Sequence, residues 1–372
     1  MAFAMDNFDL ARASFKRALD AEPENLEFLE GYGSFLAETG AQAEAATVLR
    51  RAVQLQPEEG FEKYMYLGQL VDDSAEAEQH VRKGIAILRS YMQQQAAEPQ
   101  PAEGTDEAEE AADARDHLQA TLCSCLVSLA EVLLTKGQHG AEGVAPVAAE
   151  CEQLLGEARE LSAASPEPLQ ALASLRQQQG KDEEALALLR QSLALWFKPS
   201  VDSDDEEAEE EEGEEGGKAA GKKPAAAAAA AAKAEGSGSE EEEEGEEEME
   251  LEDDSDVEEL PSYEFRFETA KLLLELDESV DTASQVLEQL LEENDTDPNV
   301  WLLLALCCQG GGDLEGALEC AEEGMKLCKL LQLPSDNEMV TGFESMQSEL
   351  QAMMEGEKKA AKAAGKADGK KR

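Results

Sequence analysis

A repeat with a period of about 34 residues constrains this chain more than any other feature. Ala11, Phe15, Ala18 and Pro23 return one period later as Ala45, Leu49, Ala52 and Pro57. Phe267 returns as Trp301, and Ala283 as Ala317, at the same interval. Small and large apolar residues held in fixed slots at a period in the thirties mark a stacked array of helical hairpins. The small residues let two helices approach and the large ones fill the gap. The proline ends one hairpin and opens the next. Each unit of such an array touches only its neighbours, so the expected fold class is all-α, an elongated solenoid of hairpins.

The slots resemble those of the tetratricopeptide repeat, and segment 11–23 matches the second-helix half of one unit. Asp6–Ala21 then reads as a second helix with Phe8, Ala11, Phe15, Ala18 and Leu19 on one face. Its first helix would precede Met1, so the array either opens on a half-repeat or continues upstream. Asn25 caps the next helix, which carries Leu29, Tyr32, Gly33 and Leu36 in its packing slots, and Gly40 makes the turn. The third unit offers Tyr64, Leu67, Gly68 and Val71, then His80, Gly84 and Ile87. The domain plan that follows has N-terminal repeats over 1–95 and an acidic disordered insert over 96–116. Middle repeats run over 117–199, followed by an acidic, poly-Ala disordered tract over 200–259. C-terminal repeats with a capping helix occupy 260–355, and a basic disordered tail spans 356–372.

Net charge is -53, with 84 acidic residues in 372. Self-repulsion on that scale opposes binding to nucleic acid or an anionic membrane and favours a basic protein partner, with the chain itself a monomer. We read no run of about 18 apolar residues that spans a bilayer and no basic-then-apolar leader. The seven Cys are odd in number and lack a CxxC pair, so they read as buried free thiols in a reducing compartment. Metal-ligand spacing, a phosphate-cradling Gly loop after a strand, and a nucleophile with a matching base are all unread in the sequence. The chain is expected to be a binding protein without cofactor or metal, not an enzyme.

The repeat resemblance implies that slots two, five, nine, twelve and thirteen of each first helix face a concave groove. Those slots hold Glu27, Glu30, Ser34 and Glu38; then Glu62, Met65, Gln69, Asp72 and Asp73; then Phe265, Glu268, Leu272 and Glu275. None is Lys or Arg; Lys63 and Arg266 fall just outside. We expect an acidic groove for an extended basic peptide, with Met65 and Phe265 as apolar anchors beside the carboxylates. Ser203, Ser239 and Ser255 precede acidic runs and are candidate phosphorylation sites. The tail from Lys358 to Arg372 reads equally as an import signal, as an internal partner for the acidic tracts, or as a solubilising end.

Two stretches go beyond repeat spacing: Phe61–Glu62–Lys63–Tyr64–Met65–Tyr66–Leu67–Gly68–Gln69–Leu70, and Leu260–Pro261–Ser262–Tyr263–Glu264–Phe265–Arg266–Phe267 after an acidic block. They resemble the family of dedicated assembly chaperones of ribosomal protein uL4. That resemblance implies capture of newly made uL4 by its basic internal extension, and escort between cytoplasm and nucleus for large-subunit assembly. An acidic repeat-type histone chaperone and a generic scaffold are the competing readings. A clamp for acidic heat-shock protein tails would need Lys and Asn where Glu30 and Ser34, or Met65 and Gln69, stand.

Overall fold

A computed structural model of the chain describes residues 2–97, 104–140, 143–199, 260–276 and 280–368. They form fourteen helices: α1 (Ala2–Ala21), α2 (Leu26–Glu38), α3 (Gln42–Leu55), α4 (Glu62–Leu70), α5 (Ser74–Ala97), α6 (Asp106–Gln138), α7 (Ala148–Leu161), α8 (Glu167–Gln178), α9 (Asp182–Leu193), α10 (Tyr263–Glu275), α11 (Val280–Glu293), α12 (Pro298–Gly310), α13 (Leu314–Leu330) and α14 (Glu338–Asp368). Among the described residues there is no strand. The helices group into two compact units, α1–α9 and α10–α14, with residues 272–278 grouped with the first. The fold is all-α, a tetratricopeptide-like solenoid of stacked hairpins.

In the first unit α2 pairs with α3, α4 with α5, α6 with α7 and α8 with α9. Each second helix packs on the next first helix, and α2 also touches α4 as α6 touches α8. The local reasons are visible in the second repeat. Asn25 Oδ1 accepts from the Phe28 amide at 3.2 Å and starts α2. Leu29, Tyr32, Gly33 and Leu36 bury one face, and Gly40, at φ 78°, turns the chain into α3. Ala45, Leu49 and Ala52 are the buried stripe of α3. A Cβ at Gly33 would stand 2.4 Å from Leu49 Cδ2, so glycine there sets how closely the two helices cross.

The third repeat departs from the expected register. Its second helix buries Ala77, Val81, Gly84 and Leu88, while His80 and Ile87 are only half-buried. The cause is a first helix that ends at Leu70, earlier in its repeat than α2, which runs to Glu38. The Asp73 carboxylate then caps α5 by accepting from the Glu76 amide at 2.8 Å, which starts the second helix early.

The expected insert over 96–116 is in part helix. Residues 98–103 lie outside the described set, but α6 begins at Asp106 rather than after residue 116. Thr105 Oγ1 accepts from the Ala108 amide at 3.3 Å, and Asp106, Glu107 and Glu109 sit in the first turn, where negative charge suits the helix dipole. The acids that suggested disorder therefore open a 33-residue helix. By length and composition α6 also contains a stretch apolar enough to cross a bilayer, contrary to the expectation that no such run exists. Its apolar residues, among them Leu122, Leu126, Leu129 and Leu133, are buried in one core with residues of α5, α7 and α8.

In the second unit α11 packs on α12, α12 on α13, and α13 on α14. Phe343 of α14 is fully buried and its ring fills the space a side chain at Gly324 would need. Contrary to the expected disordered tail, the helix runs on to Asp368, so the backbone of the Lys/Ala segment is helical for most of its length, because alanine and lysine have high helix propensity. In α10 the buried stripe is Arg266, Thr269, Ala270 and Leu273, one residue before the expected Phe267, Ala270, Leu274 pattern; Leu272 is buried as well. The reason is Arg266, only 3% exposed. Its Nε donates to Pro261 O at 2.9 Å, and its two terminal nitrogens donate to Glu293 at 2.6 and 2.7 Å. That bidentate pair fixes the rotation of α10.

Candidate functional site: the first-helix face

Over α1–α5 the cations are sorted by helix, whereas further along the first unit α6 carries Arg115 and Lys136 and α8 carries Arg176. The second-type helices α1, α3, α5, α7 and α9 carry Arg12, Lys16, Arg50, Arg82, Lys83 and Arg89 among other cations. Several reach the next second helix. Arg12 meets Glu44, Arg50 meets Glu76 at 2.9 Å, Arg82 meets Glu150 at 2.8 Å and Arg89 meets Glu157 at 2.7 Å. Each such exposed pair contributes roughly 0–1 kcal/mol, so the ladder sets where charge lies more than how stable the array is. On the first helices, α2 has no Lys or Arg and α4 has only Lys63. In α8, Arg176 is held by Glu152 and Glu184. The side formed by α2 and α4 thus presents carboxylates without a surface cation.

The expected groove residues do not all serve that face. Glu30 is taken: Lys63, 1% exposed, donates from Nζ to its Oε1 at 2.7 Å across the seam between α2 and α4. Gly60 makes room for the pair; at φ 67° a Cβ would stand 3.0 Å from Glu30 Oε1 and 3.1 Å from Lys63 Nζ. Glu38 accepts from Tyr66 Oη at 3.0 Å on the same seam, and burial, with Glu38 as acceptor, pushes the Tyr66 phenol up. Asp73 is the cap of α5, not a first-helix residue, and Asp72 lies in the turn beside it. Glu27, Glu62 and Asp72 remain exposed, with no hydrogen bond or ion pair among the described residues.

Three expected residues do meet. Met65, Gln69 and Asp72 line one cleft of about 240 Å³ with Gly68, Val71, Ser74, Ala77 and Val81 of the same hairpin and Ser128, Glu131, Val132 and Thr135 of α6. The cleft exists because α4 is only nine residues long, whereas α6 continues past its end. The α6 residues were missed by the slot pattern, since they belong to a helix whose register the sequence leaves loose. Their spacing, 128–131–132–135, is that of one helix face.

In the second unit, Phe265 is half-buried and Glu268 is exposed; Glu275, grouped with the first unit, is exposed and accepts from Gln177 Nε2 at 2.6 Å. Glu268 is met by Lys271 at 3.1 Å, so it is less available than Glu27 or Glu62. Nearby, Tyr263 Oη donates to Asp297 at 3.2 Å, and burial followed by Asp297 pushes its phenol up to about 12. Ser203, Ser239 and Ser255 lie outside the described residues. Of the seven free thiols, five are buried while Cys308 and Cys320 are half-buried. Burial pushes Cys125 and Cys307 up to about 12 and Cys151 up to about 11, which leaves them as unreactive packing residues.

The comparisons with known proteins agree with this architecture. Residues 2–59 match the family model described as YpiA-like, C-terminal tetratricopeptide repeats. A protein of Schizosaccharomyces pombe named probable assembly chaperone of rpl4 is 30% identical over 185 residues, 48% of this chain and 48% of that protein. The antiviral innate immune response effector IFIT1 of Macaca fascicularis is 33% identical over 94 residues, 23% of this chain and 20% of that one. The matched stretch thus spans about half or less of these relatives' length. Among solved structures, Assembly Chaperone of RpL4 (Acl4), residues 1–338, superposes with a TM-score of 0.55 at 20% identity, over 84% of this chain and 94% of that one. The chain has the tetratricopeptide-repeat fold, and it is similar in sequence to the probable assembly chaperone of rpl4 and in fold to Acl4.

Proposed function

We propose that this protein is a chaperone for newly made ribosomal protein uL4, holding an extended basic segment of that client along the carboxylate face of α2 and α4. It works by binding, with no reaction to catalyse. One observation carries the reading: across α1–α5 the cations are placed on second helices or buried, as Lys63 is, so the side formed by α2 and α4 offers Glu27, Glu62 and Asp72 to a positively charged chain. The relative named for rpl4 assembly is the support for the client's identity. Each such exposed carboxylate that touches the client contributes roughly 0.2–1 kcal/mol to holding it, while charges farther away than about 8 Å in physiological salt serve encounter only. The same reading has the protein bind its client in the cytoplasm and accompany it to the nucleus.

The test is binding of the purified full chain to intact uL4, to uL4 lacking its basic internal extension, and to core histones, at physiological salt. The expected result is a one-to-one complex with intact uL4 and at least tenfold weaker binding to the other two. Histones bound as tightly as uL4 would replace this client assignment with a histone chaperone.

A further inference from the structure

We propose that the cleft between α4, α5 and α6 is a pocket for a single long cationic side chain, arginine or lysine, of the bound peptide. This rests on the function proposed above and supplies the side-chain selectivity that a solvated acidic face lacks. The buried part of the lining is aliphatic and the exposed part is polar. Val81 and Ala77, 1% and 4% exposed, are its most buried lining, and Gly68, having no side chain, lets Val81 pack close against α4. Val71 and Val132 are half-buried along its wall. Its exposed lining is Asp72 with Gln69 and Thr135; Glu131, also exposed, is already engaged within the fold.

A volume of about 240 Å³ accepts one extended side chain, not a helix or a folded element. Lysine and arginine have an apolar stem and a charged head, and they bury the first while keeping the second in water. That division matches this lining. An acidic side chain would meet like charge at Asp72. A short aliphatic one would cover the buried lining but leave Asp72 facing an apolar neighbour without a donor. The other carboxylates of the hairpin do not compete, since Glu76 is met by Arg50 and Glu78 by Lys136 and Arg82. Asp72 has no such partner among the described residues.

The experiment uses the full chain and a fluorescein-labelled dodecapeptide of Gly, Ser and Ala with one central Arg, followed by anisotropy at physiological salt. Four predictions define it. Asp72→Asn weakens binding about fivefold. Thr135→Trp, a substitution at an exposed position that closes the cleft, weakens it at least tenfold. Glu24→Gln, the same charge change on the loop before α2, leaves it within about 1.5-fold. Replacing the central Arg by citrulline, of the same shape and no charge, reproduces the loss seen with Thr135→Trp. The proposal is overturned if Asp72→Asn and Glu24→Gln act alike, if Thr135→Trp binds as the unmodified chain does, or if the unmodified chain shows no saturable binding. Failure of the two proposals is distinguishable. Thr135→Trp that still holds uL4 fully removes the pocket and leaves the chaperone. A chain that takes the single-Arg peptide as predicted yet ignores uL4 removes the chaperone and leaves the pocket.

Discussion

The pairing of Lys63 with Glu30 makes an asymmetric prediction. Lys63 is 1% exposed while Glu30 is 33% exposed, and the two meet at 2.7 Å. Glu30→Gln leaves an ammonium buried opposite a neutral amide. Breaking a fully buried pair from one side costs about 3–5 kcal/mol. Because water reaches a third of Glu30, the expected loss is nearer about 1–3 kcal/mol, roughly 2–12 °C in Tm for a unit of about 200 residues. Lys63→Met instead keeps the stem's volume in an apolar site and releases a carboxylate that water already touches. Its effect on stability should stay within about 1 kcal/mol. The binding signs are opposite. Lys63→Met adds a usable carboxylate to the seam and strengthens capture of basic peptide by up to about fivefold, the worth of one exposed pair. That gain should vanish near 1 M salt, where the Debye length is about 3 Å. Glu30→Gln should leave peptide affinity unchanged. Calorimetric melts and anisotropy titrations on both variants decide the matter. A Glu30→Gln chain that melts normally but binds more weakly would mean that Glu30 serves the client and that Lys63 is not its partner.

Three further outcomes follow from the packing and the pKa directions. Gly68→Ala puts a Cβ 2.4 Å from Val81 Cγ2 and should destabilise the first unit by about 1–3 kcal/mol, with partial recovery when Val81→Ala is added, read by denaturant midpoint. Arg266, by hydrogen bond and charge against a smaller burial effect, holds the Glu293 carboxyl below the usual range. A lowered carboxylate stabilises the fold above its unfolded pKa of about 4.3, and that stability is lost as pH falls through the folded value. Glu293→Gln should therefore flatten the acid limb of the second unit, measured by Trp301 fluorescence in a Trp196→Phe background. Among the thiols, Cys308 should react first with a maleimide, because Cys320 donates a hydrogen bond that lowers its pKa while the site is half-buried. Mass mapping after a brief pulse that finds Cys125 or Cys151 ahead of it would contradict that order.

What the sequence makes legible is the part of the fold written in one helix at a time. Ala45, Leu49 and Ala52, or Ala283, Leu287 and Leu290, sit at fixed spacing on one face, and spacing is local. What it hides is decided by turns and by neighbours. Whether His80 or Ala77 enters the core depends on how early α4 ends, and on Asp73 capping the helix after it. The helix from Asp106 is hidden because acidic residues signal disorder by composition but helix start by position. Lys63 and Glu30 lie 33 residues apart on adjacent first helices, so their bond belongs to the stacking of repeats and to no single repeat. The rotation of α10 likewise turns on Arg266 finding Glu293, 27 residues away. In each of these cases an ionised side chain, not the apolar pattern, sets the outcome.

Internal pairing of carboxylates limits what an acidic chain of net charge -53 is able to discriminate. With Glu30, Glu38 and Asp73 engaged inside the fold, the first-helix face is left with Glu27, Glu62 and Asp72, far fewer carboxylates than residues 202–259 contain. If bulk charge governed affinity, that longer tract would dominate. Charges separated from the client by more than about 8 Å of salt solution raise the encounter rate and add little to the bound state. The triple variant Glu27→Gln, Glu62→Gln, Asp72→Asn removes three contacts of roughly 0.2–1 kcal/mol each, about tenfold in Kd taken together. It should act mainly on dissociation. Deletion of residues 202–259 should slow association several-fold at low salt and shift Kd less than about threefold at physiological salt. Stopped-flow binding of a basic uL4 peptide to both variants separates the two roles. A deletion that weakens the complex at physiological salt as much as the triple variant would show that the folded face has no privileged part in holding the client.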